Sequence, residues 1–149
     1  FGKLASEGRY EVTDDVKAKL KADFAAGFCD DVQTKAVIKE IYDKYSYTLD
    51  THTAVAVKVY EDYKKATGDN TKTVIASTAS PYKFSTAVLE AIEGKVSDMD
   101  EFDKVERLHE VSGYDVPKSL AELKNKPIRF TGAIGRDEMK DFVLKSLSL

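Results

Sequence analysis

The apolar residues of this chain recur three and four apart, in stripes opened by acidic or hydroxyl residues and closed by glycine. That rhythm commits most of the sequence to amphipathic helices. Thr13-Asp14-Asp15 supplies cap oxygens and first-turn negative charge, after which Val16, Leu20 and Phe24 share a face; this helix is expected to reach about Ala25, with Gly27 as its stop. Asp30 and Asp31 open a second helix with an apolar stripe of Val37, Ile38, Ile41, Tyr42 and Tyr45. Asp50 or Thr51 caps a third, in which Val55, Ala56, Val59, Tyr60 and Tyr63 lie along one side until the turn cluster Gly68-Asp69-Asn70 ends it.

One segment breaks the helical spacing. Thr73-Val74-Ile75-Ala76 is short, apolar and β-branched between polar neighbours, the pattern of a buried parallel strand. It runs directly into Ser77-Thr78-Ala79-Ser80, a loop of small and hydroxyl residues, and then into Pro81, suited to a first helical position with Ser80 as its cap. Phe84, Val88, Leu89 and Ile92 form the face of the helix that follows, and Gly94 closes it. Further on, Asp98 to Phe102 opens a charged helix or turn, and Val116 to Leu120 opens another that ends near Lys124. Ile128-Arg129-Phe130 is a second candidate strand, and Arg136 to Leu147 a terminal helix with Met139, Phe142, Val143 and Leu147 in register. The expected fold class is therefore α/β: a mostly helical piece with a short parallel-type strand over 73–76 and a second candidate at 128–130, belonging to an open α/β domain.

At 149 residues, 42% hydrophobic and 33% charged, the chain has enough apolar material for one ordinary core, and 1–149 is expected to be a single unit. Residues 1–70 read as mainly helical, and 71–149 as strand, loop and helix followed by C-terminal helices. The 23 basic and 26 acidic side chains give a net charge of -3 with the signs interspersed, which attracts neither nucleic acid nor an anionic membrane. No apolar run approaches the roughly 18 residues of a membrane span, and Phe1-Gly2-Lys3-Leu4 lacks a signal-peptide core. Cys29 is the sole cysteine, so no intrachain disulfide or multi-cysteine zinc cluster forms, which suits a reducing compartment; the expectation is a soluble cytoplasmic chain. It begins at Phe1 without an initiator Met, which fits an excised or processed piece as well as a whole protein.

Self-contained active sites find little support. Cys29, His52 and Asp50 offer a thiol, an imidazole and a carboxylate, but Asp50 and His52 lie two apart, a spacing that does not let them face each other on a helix. Cys29 sits among Phe24, Phe28 and Val32, where an inert buried thiol is commoner. His52 and His109 lack metal-ligand spacing, so no metal site is expected. There is no GxxxxGK[ST] or GxGxxG loop, and Gly132-Ala133-Ile134-Gly135 reads as a turn. The acidic pairs Asp14-Asp15 and Asp30-Asp31 are explained as helix-start charges. The remaining site candidate is the Ser77 to Lys83 loop. It lies between the C-terminal end of an expected strand and a helix start, where open α/β sheets bind ligands and free backbone N–H groups favour anions. Plain structural punctuation is the competing reading of the same residues.

Two segments resemble the C-terminal region of threonine synthases. Tyr47-Thr48-Leu49-Asp50-Thr51-His52-Thr53-Ala54-Val55-Ala56 is similar to that family's Y-x-L-D-P-H-T-A-V-G/A, and Ser77-Thr78-Ala79-Ser80-Pro81-Tyr82-Lys83-Phe84 to its S-T-A-[HS]-P-x-K-F. The upstream Asp23 to Gly27, then Asp30-Asp31 and Thr34, also resembles the family, and the similarity extends from about Gly8 to the last helix. Thr51 stands where proline is usual and Ser80 where many members have histidine, which loosens the turn and removes any role tied to that imidazole.

The resemblance implies a pyridoxal 5'-phosphate enzyme of the tryptophan-synthase-like group that converts O-phospho-L-homoserine and water into L-threonine and phosphate. Such enzymes need a lysine in Schiff-base linkage within a sequence like S-F-K-D, and a glycine-rich phosphate loop. Neither occurs in these 149 residues, and lysines such as Lys39 and Lys83 have no such context, so no catalytic residue is assigned to this chain. In that group a hydroxyl side chain after a late strand meets the pyridine nitrogen of the cofactor, and Thr78 or Ser77 matches the position. Lys83 is a candidate for attracting the substrate phosphate, with a surface lysine as the more ordinary reading, and His52 is assigned a structural role in its turn. The chain is thus expected to be the C-terminal portion of a threonine synthase, inactive alone and partnered by the missing N-terminal portion. A free-standing regulatory or interaction module derived from such an enzyme is the alternative, and an exposed apolar face makes self-association plausible for either.

Overall fold

The computed structural model describes residues 1–96 and 98–148, which group into two compact units, Phe1–Val116 and Pro117–Leu149. The first unit carries helices α1 (Gly2–Glu7), α2 (Asp14–Asp23), α3 (Asp31–Tyr45), α4 (Thr51–Thr67), α5 (Ser85–Glu93) and α6 (Glu101–Ser112), with a 3-10 turn at Pro81–Phe84 leading into α5. The second carries α7 (Lys118–Ala121), 3-10 turns at Glu122–Asn125 and Arg136–Glu138, and α8 (Met139–Ser146).

The acidic residues that mark helix starts in the sequence act as caps in the structure. Asp30 accepts from the Gln33 backbone N–H at 2.8 Å while the Gln33 side chain accepts from the Asp30 N–H at 3.0 Å, a reciprocal capping box at the start of α3. Asp100 does the same work for α6, accepting from the N–H groups of Phe102 and Asp103 at 2.8 and 2.9 Å. At the other ends, Gly68 and Gly113 take left-handed conformations, φ 72° and 70°, that only glycine enters without strain, and their N–H groups close α4 and α6.

Helix α3 packs against α4 and α5, and α5 packs against α6. Their facing stripes supply the core: Val37 and Ile38 from α3, Ala54 from α4, Val88, Leu89 and Ile92 from α5, and Val105 and Leu108 from α6. Leu49, Tyr82 and Val96, which flank the α-helices rather than belong to them, add to it. The α4 stripe read from the sequence, Val55 to Tyr63, is only partly covered, and the residues of α4 that are fully buried are Thr53 and Ala54 at its start. Helix α2 stops at Asp23 and buries none of its side chains; its stripe of Val16, Leu20 and Phe24 is exposed, Phe24 at 71%.

The α/β expectation is corrected. Among the described residues there is no strand and no sheet, and the fold is helical. Residues 73–76 form no strand, and line a hollow of about 390 Å³ against Ala56, Val59, Tyr60 and Tyr63 of α4. Val74 is 90% exposed. The residue types favour extended backbone, but a strand exists only where a second extended segment supplies hydrogen-bonding partners, and the described residues of unit 1 offer none. The segment 128–130 fails as a strand in the same way within its own unit. Ile128 and Phe130 are 82% and 81% exposed, and Pro127 just before them has no N–H to give to a ladder. Helix α8 starts after the 3-10 turn, three residues later than the sequence stripe suggests, and Met139, Phe142 and Val143 remain exposed.

Two measurements probe this architecture. Leu108 has no exposed surface, so Leu108→Ala is expected to lower the unfolding free energy by about 2–5 kcal/mol, whereas Phe24→Ala changes it by less than about 0.5 kcal/mol, both read by denaturant titration. Burial holds the Tyr82 phenol above its ordinary value, and its hydroxyl donates to the Tyr114 carbonyl. Because the folded state favours the neutral phenol, this contribution is complete below the ordinary tyrosine value near about 10 and is lost as pH rises above it. Tyr82→Phe is therefore expected to flatten the fall of stability above about pH 10 in alkaline unfolding curves.

Candidate functional site

The segment Thr48-Leu49-Asp50 is buried throughout, and Leu49 pins the chain to the core just before α4 begins. Asp50 follows as the cap of α4 with its side chain wholly out of solvent. Its Oδ1 accepts from the backbone N–H groups of His52 and Thr53, at 2.8 and 3.2 Å. Its Oδ2 accepts a short hydrogen bond from the Thr53 hydroxyl. A buried carboxylate is tolerated only when donors replace water, and here three donors surround it.

Thr53 carries the arrangement across to the other motif. Its Oγ1 lies 3.0 Å from Ser77 Oγ, so the start of α4 and the loop that follows residues 73–76 are hydrogen-bonded 24 residues apart in sequence. Ser77 and Thr78 are exposed, while Ala79 and Ser80 are half-buried. Beyond them Ser80 Oγ accepts from the Tyr82 N–H at 3.3 Å and the Ser80 carbonyl from the Lys83 N–H at 3.0 Å, with Pro81 opening the turn. Buried Tyr82 anchors this turn from below. The two motifs also meet through rings: His52 packs on Phe84 with centroids 4.9 Å apart and planes tilted by 44°. His52 remains mostly exposed, and its position fits a joint between the two segments.

The sequence candidates are distributed as follows. Ser77 is tethered, Thr78 stands exposed beside it, and Lys83 is exposed with its Nζ 5.5 Å from the Phe84 ring centre, a weak cation–π contact. Cys29 and His52 line the same hollow of about 200 Å³ with Asp31, Thr34, Thr51 and Val55. Cys29 is half-buried, and its Sγ lies 3.2 Å from Thr34 Oγ1. His52 Nδ1 is 3.7 Å from Asp50 Oδ1, closer than a purely helical spacing suggests because Asp50 precedes the helix as its cap. That oxygen is already occupied by two backbone donors, and 3.7 Å is too long for a hydrogen bond, so the pair does not orient the imidazole as a general base. No group of three or more His, Cys, Asp or Glu among the described residues is placed to hold a metal ion. No helix among them is long and apolar enough to cross a membrane.

Sequence reasoning missed Thr53. The available signal is its position three residues after the cap, where a capping box has Glu or Gln; a hydroxyl there is too short to reach back to the cap N–H and turns instead to the cap carboxylate. The site as built presents two adjacent hydroxyls, one of them held by Thr53. Such a surface suits a ring nitrogen or an anionic oxygen. The hydroxyls of Ser77 and Thr78 are of the kind that fits a hydrogen-bond contact to the ring nitrogen of pyridoxal phosphate.

Residues 53–143 match the family model described as threonine synthase, C-terminal. The chain is 32% identical over 101 residues to threonine synthase-like 1 of Homo sapiens, covering 68% of this chain and 13% of that protein. It is 31% identical over 97 residues to threonine synthase of Methylobacillus glycogenes, covering 64% of this chain and 20% of the relative. With threonine synthase of Corynebacterium glutamicum the identity is 26% over 128 residues, covering 84% of this chain and 24% of the relative. The chain thus spans between 13% and 24% of the length of these relatives. A family match across most of the chain, covering the Thr53 end of α4 and the whole Ser77 to Phe84 loop, means that this chain belongs to the threonine synthase C-terminal family.

Proposed function

We propose that this chain is the C-terminal portion of a threonine synthase, contributing one wall of the site where O-phospho-L-homoserine and water become L-threonine and phosphate. The observation that carries the reading is the hydrogen bond between Thr53 and Ser77, which brings the two family-like segments together behind an exposed pair of hydroxyls. Ser77 or Thr78 meets the pyridine nitrogen of pyridoxal 5'-phosphate. When bound, that cofactor supplies the electron sink for the β,γ-replacement. A neutral hydroxyl tempers the sink, since it favours a protonated ring less strongly than a carboxylate does. Lys83 lies one turn further on, where its cation draws the substrate phosphate towards the loop.

The chain does not act alone. The lysine that carries the cofactor and the glycine-rich cradle for its phosphate belong to the N-terminal portion, which is the partner this surface requires. The setting is the cytoplasm, in threonine biosynthesis.

Two assays test this. Mixed with pyridoxal phosphate and phosphohomoserine, the 149-residue chain alone is expected to develop neither the yellow absorption of lysine-bound cofactor nor threonine; steady turnover would overturn the proposal. In the natural gene product carrying this sequence, Ser77→Ala combined with Thr78→Val is expected to lower kcat/KM roughly 10- to 100-fold, the range for losing a hydrogen bond to a charged group. Unchanged kcat/KM would remove these residues from the site.

A further inference from the structure

We infer that Tyr82 and Tyr114 are positioning residues: the hydrogen bond from the Tyr82 hydroxyl to the Tyr114 carbonyl sets the turn that carries Lys83, and through it the hold on the substrate phosphate. The inference rests on the reading of Lys83 as the cation that draws that phosphate. It gives a part in binding to a buried tyrosine and to the segment that follows α6.

The hydrogen bonds that shape the Pro81–Phe84 turn, Lys83 N–H to the Ser80 carbonyl and Tyr82 N–H to Ser80 Oγ, are made within it and do not fix it to the rest of the unit. The Tyr82 side chain does. Neighbouring side chains of a 3-10 turn point about 120° apart, so burying Tyr82 to 5% exposure sends Lys83 outward. There its Nζ lies 5.5 Å from the centre of the Phe84 ring on which His52 packs, and no ion pair to Lys83 occurs among the described residues. At the inner end, the Tyr114 carbonyl that receives the Tyr82 hydroxyl also receives His109 Nδ1–H at 2.6 Å, since a carbonyl only accepts. The Tyr114 phenol accepts from the Thr48 N–H at 3.4 Å, and its ring meets that of Tyr47 edge-on with centroids 6.2 Å apart. Leu49 and Asp50 follow Thr48, so Tyr114 ties the Lys83 turn to the segment that starts α4, independently of the Thr53 to Ser77 bond.

The family-like pattern leaves the residue between Pro81 and Lys83 open, so this tie is made by a tyrosine of the chain's own choosing. Tyr42 supplies a matched comparison. Its hydroxyl donates to the Val111 carbonyl at 3.0 Å, near the same end of α6, without reaching the turn. Tyr42→Phe and Tyr82→Phe each remove one phenol-to-carbonyl hydrogen bond. A purely structural role for Tyr82 predicts that the two behave alike; a positioning role predicts that only Tyr82→Phe alters phosphate binding.

The experiment uses the natural gene product carrying this sequence and reads kcat, KM for O-phospho-L-homoserine and the inhibition constant of inorganic phosphate. Tyr82→Phe is expected to raise KM and that inhibition constant together by about 3- to 10-fold, the range for losing one neutral hydrogen bond, with kcat held within about twofold. Tyr42→Phe is expected to leave all three in place. If Tyr82→Phe does not fold, Tyr114→Phe replaces it; it cuts the tie to Thr48 and is expected to raise both constants about two- to threefold. Constants that stay put in the variant in hand, or that rise equally in Tyr42→Phe, overturn the inference. If Lys83→Met raises both constants while Tyr82→Phe does not, the phosphate reading of Lys83 survives and only the tyrosine tie falls. If Lys83→Met leaves them in place, or the unaltered protein shows no turnover, that reading falls and the inference with it.

Discussion

Asp50 has to leave water for Leu49 and Ala54 to pack, and a carboxylate tolerates that only by gathering donors around both oxygens. Two of those donors come from the first turn of α4 and cap it; the third is the Thr53 hydroxyl, which reaches on to Ser77. One buried group thus starts a helix, fixes the segment that enters it and holds the loop that carries the candidate ligand contacts. The ring contact of His52 on Phe84 and the anchoring of Tyr82 on the Tyr114 carbonyl brace the same joint from either side.

The rest of the first unit is a support for that joint. Helices α3, α5 and α6 bury a continuous set of branched aliphatic residues, and ion pairs lie along their borders. Lys35 meets Glu90 at 2.6 Å between α3 and α5, and Arg107 of α6 meets Glu93 of α5, contacts that raise the basicity of the guanidinium. These pairs are partly exposed and contribute modestly to stability; their value is in setting the relative rotation of helices whose core contacts are not directional. What is left uncovered is as informative. The α2 stripe and Val74 are apolar and face solvent, and Val55 to Tyr60 of α4 are only partly covered.

Much of the helical layout was legible in residue types. The helix start at Asp30-Asp31, a cap at Asp50 or Thr51, the stop at Gly68 and the α3 and α5 stripes act locally, through hydrogen bonds within a few residues of each other, so spacing alone reveals them. The strand at 73–76 was not decidable in that way. β-branched residues state a preference for extended backbone, but pairing is a relation between two segments, and the second is absent among the described residues of the unit. The same limit applies to α2: amphipathic spacing shows that a face exists, not that anything covers it.

The candidate site divides along the same line. The sequence by itself determined the family-like segments, a cap at Asp50 or Thr51 and the pair of hydroxyls at Ser77 and Thr78, because each is a matter of residue identity and short spacing. Only the tertiary structure decided that Thr53 lies 3.0 Å from Ser77, that Asp50 is fully desolvated beneath them, and that Cys29 and His52 share a hollow without forming a triad. Those are contacts between elements far apart along the chain, set by how helices pack around a common core, and no local pattern encodes the distance between them.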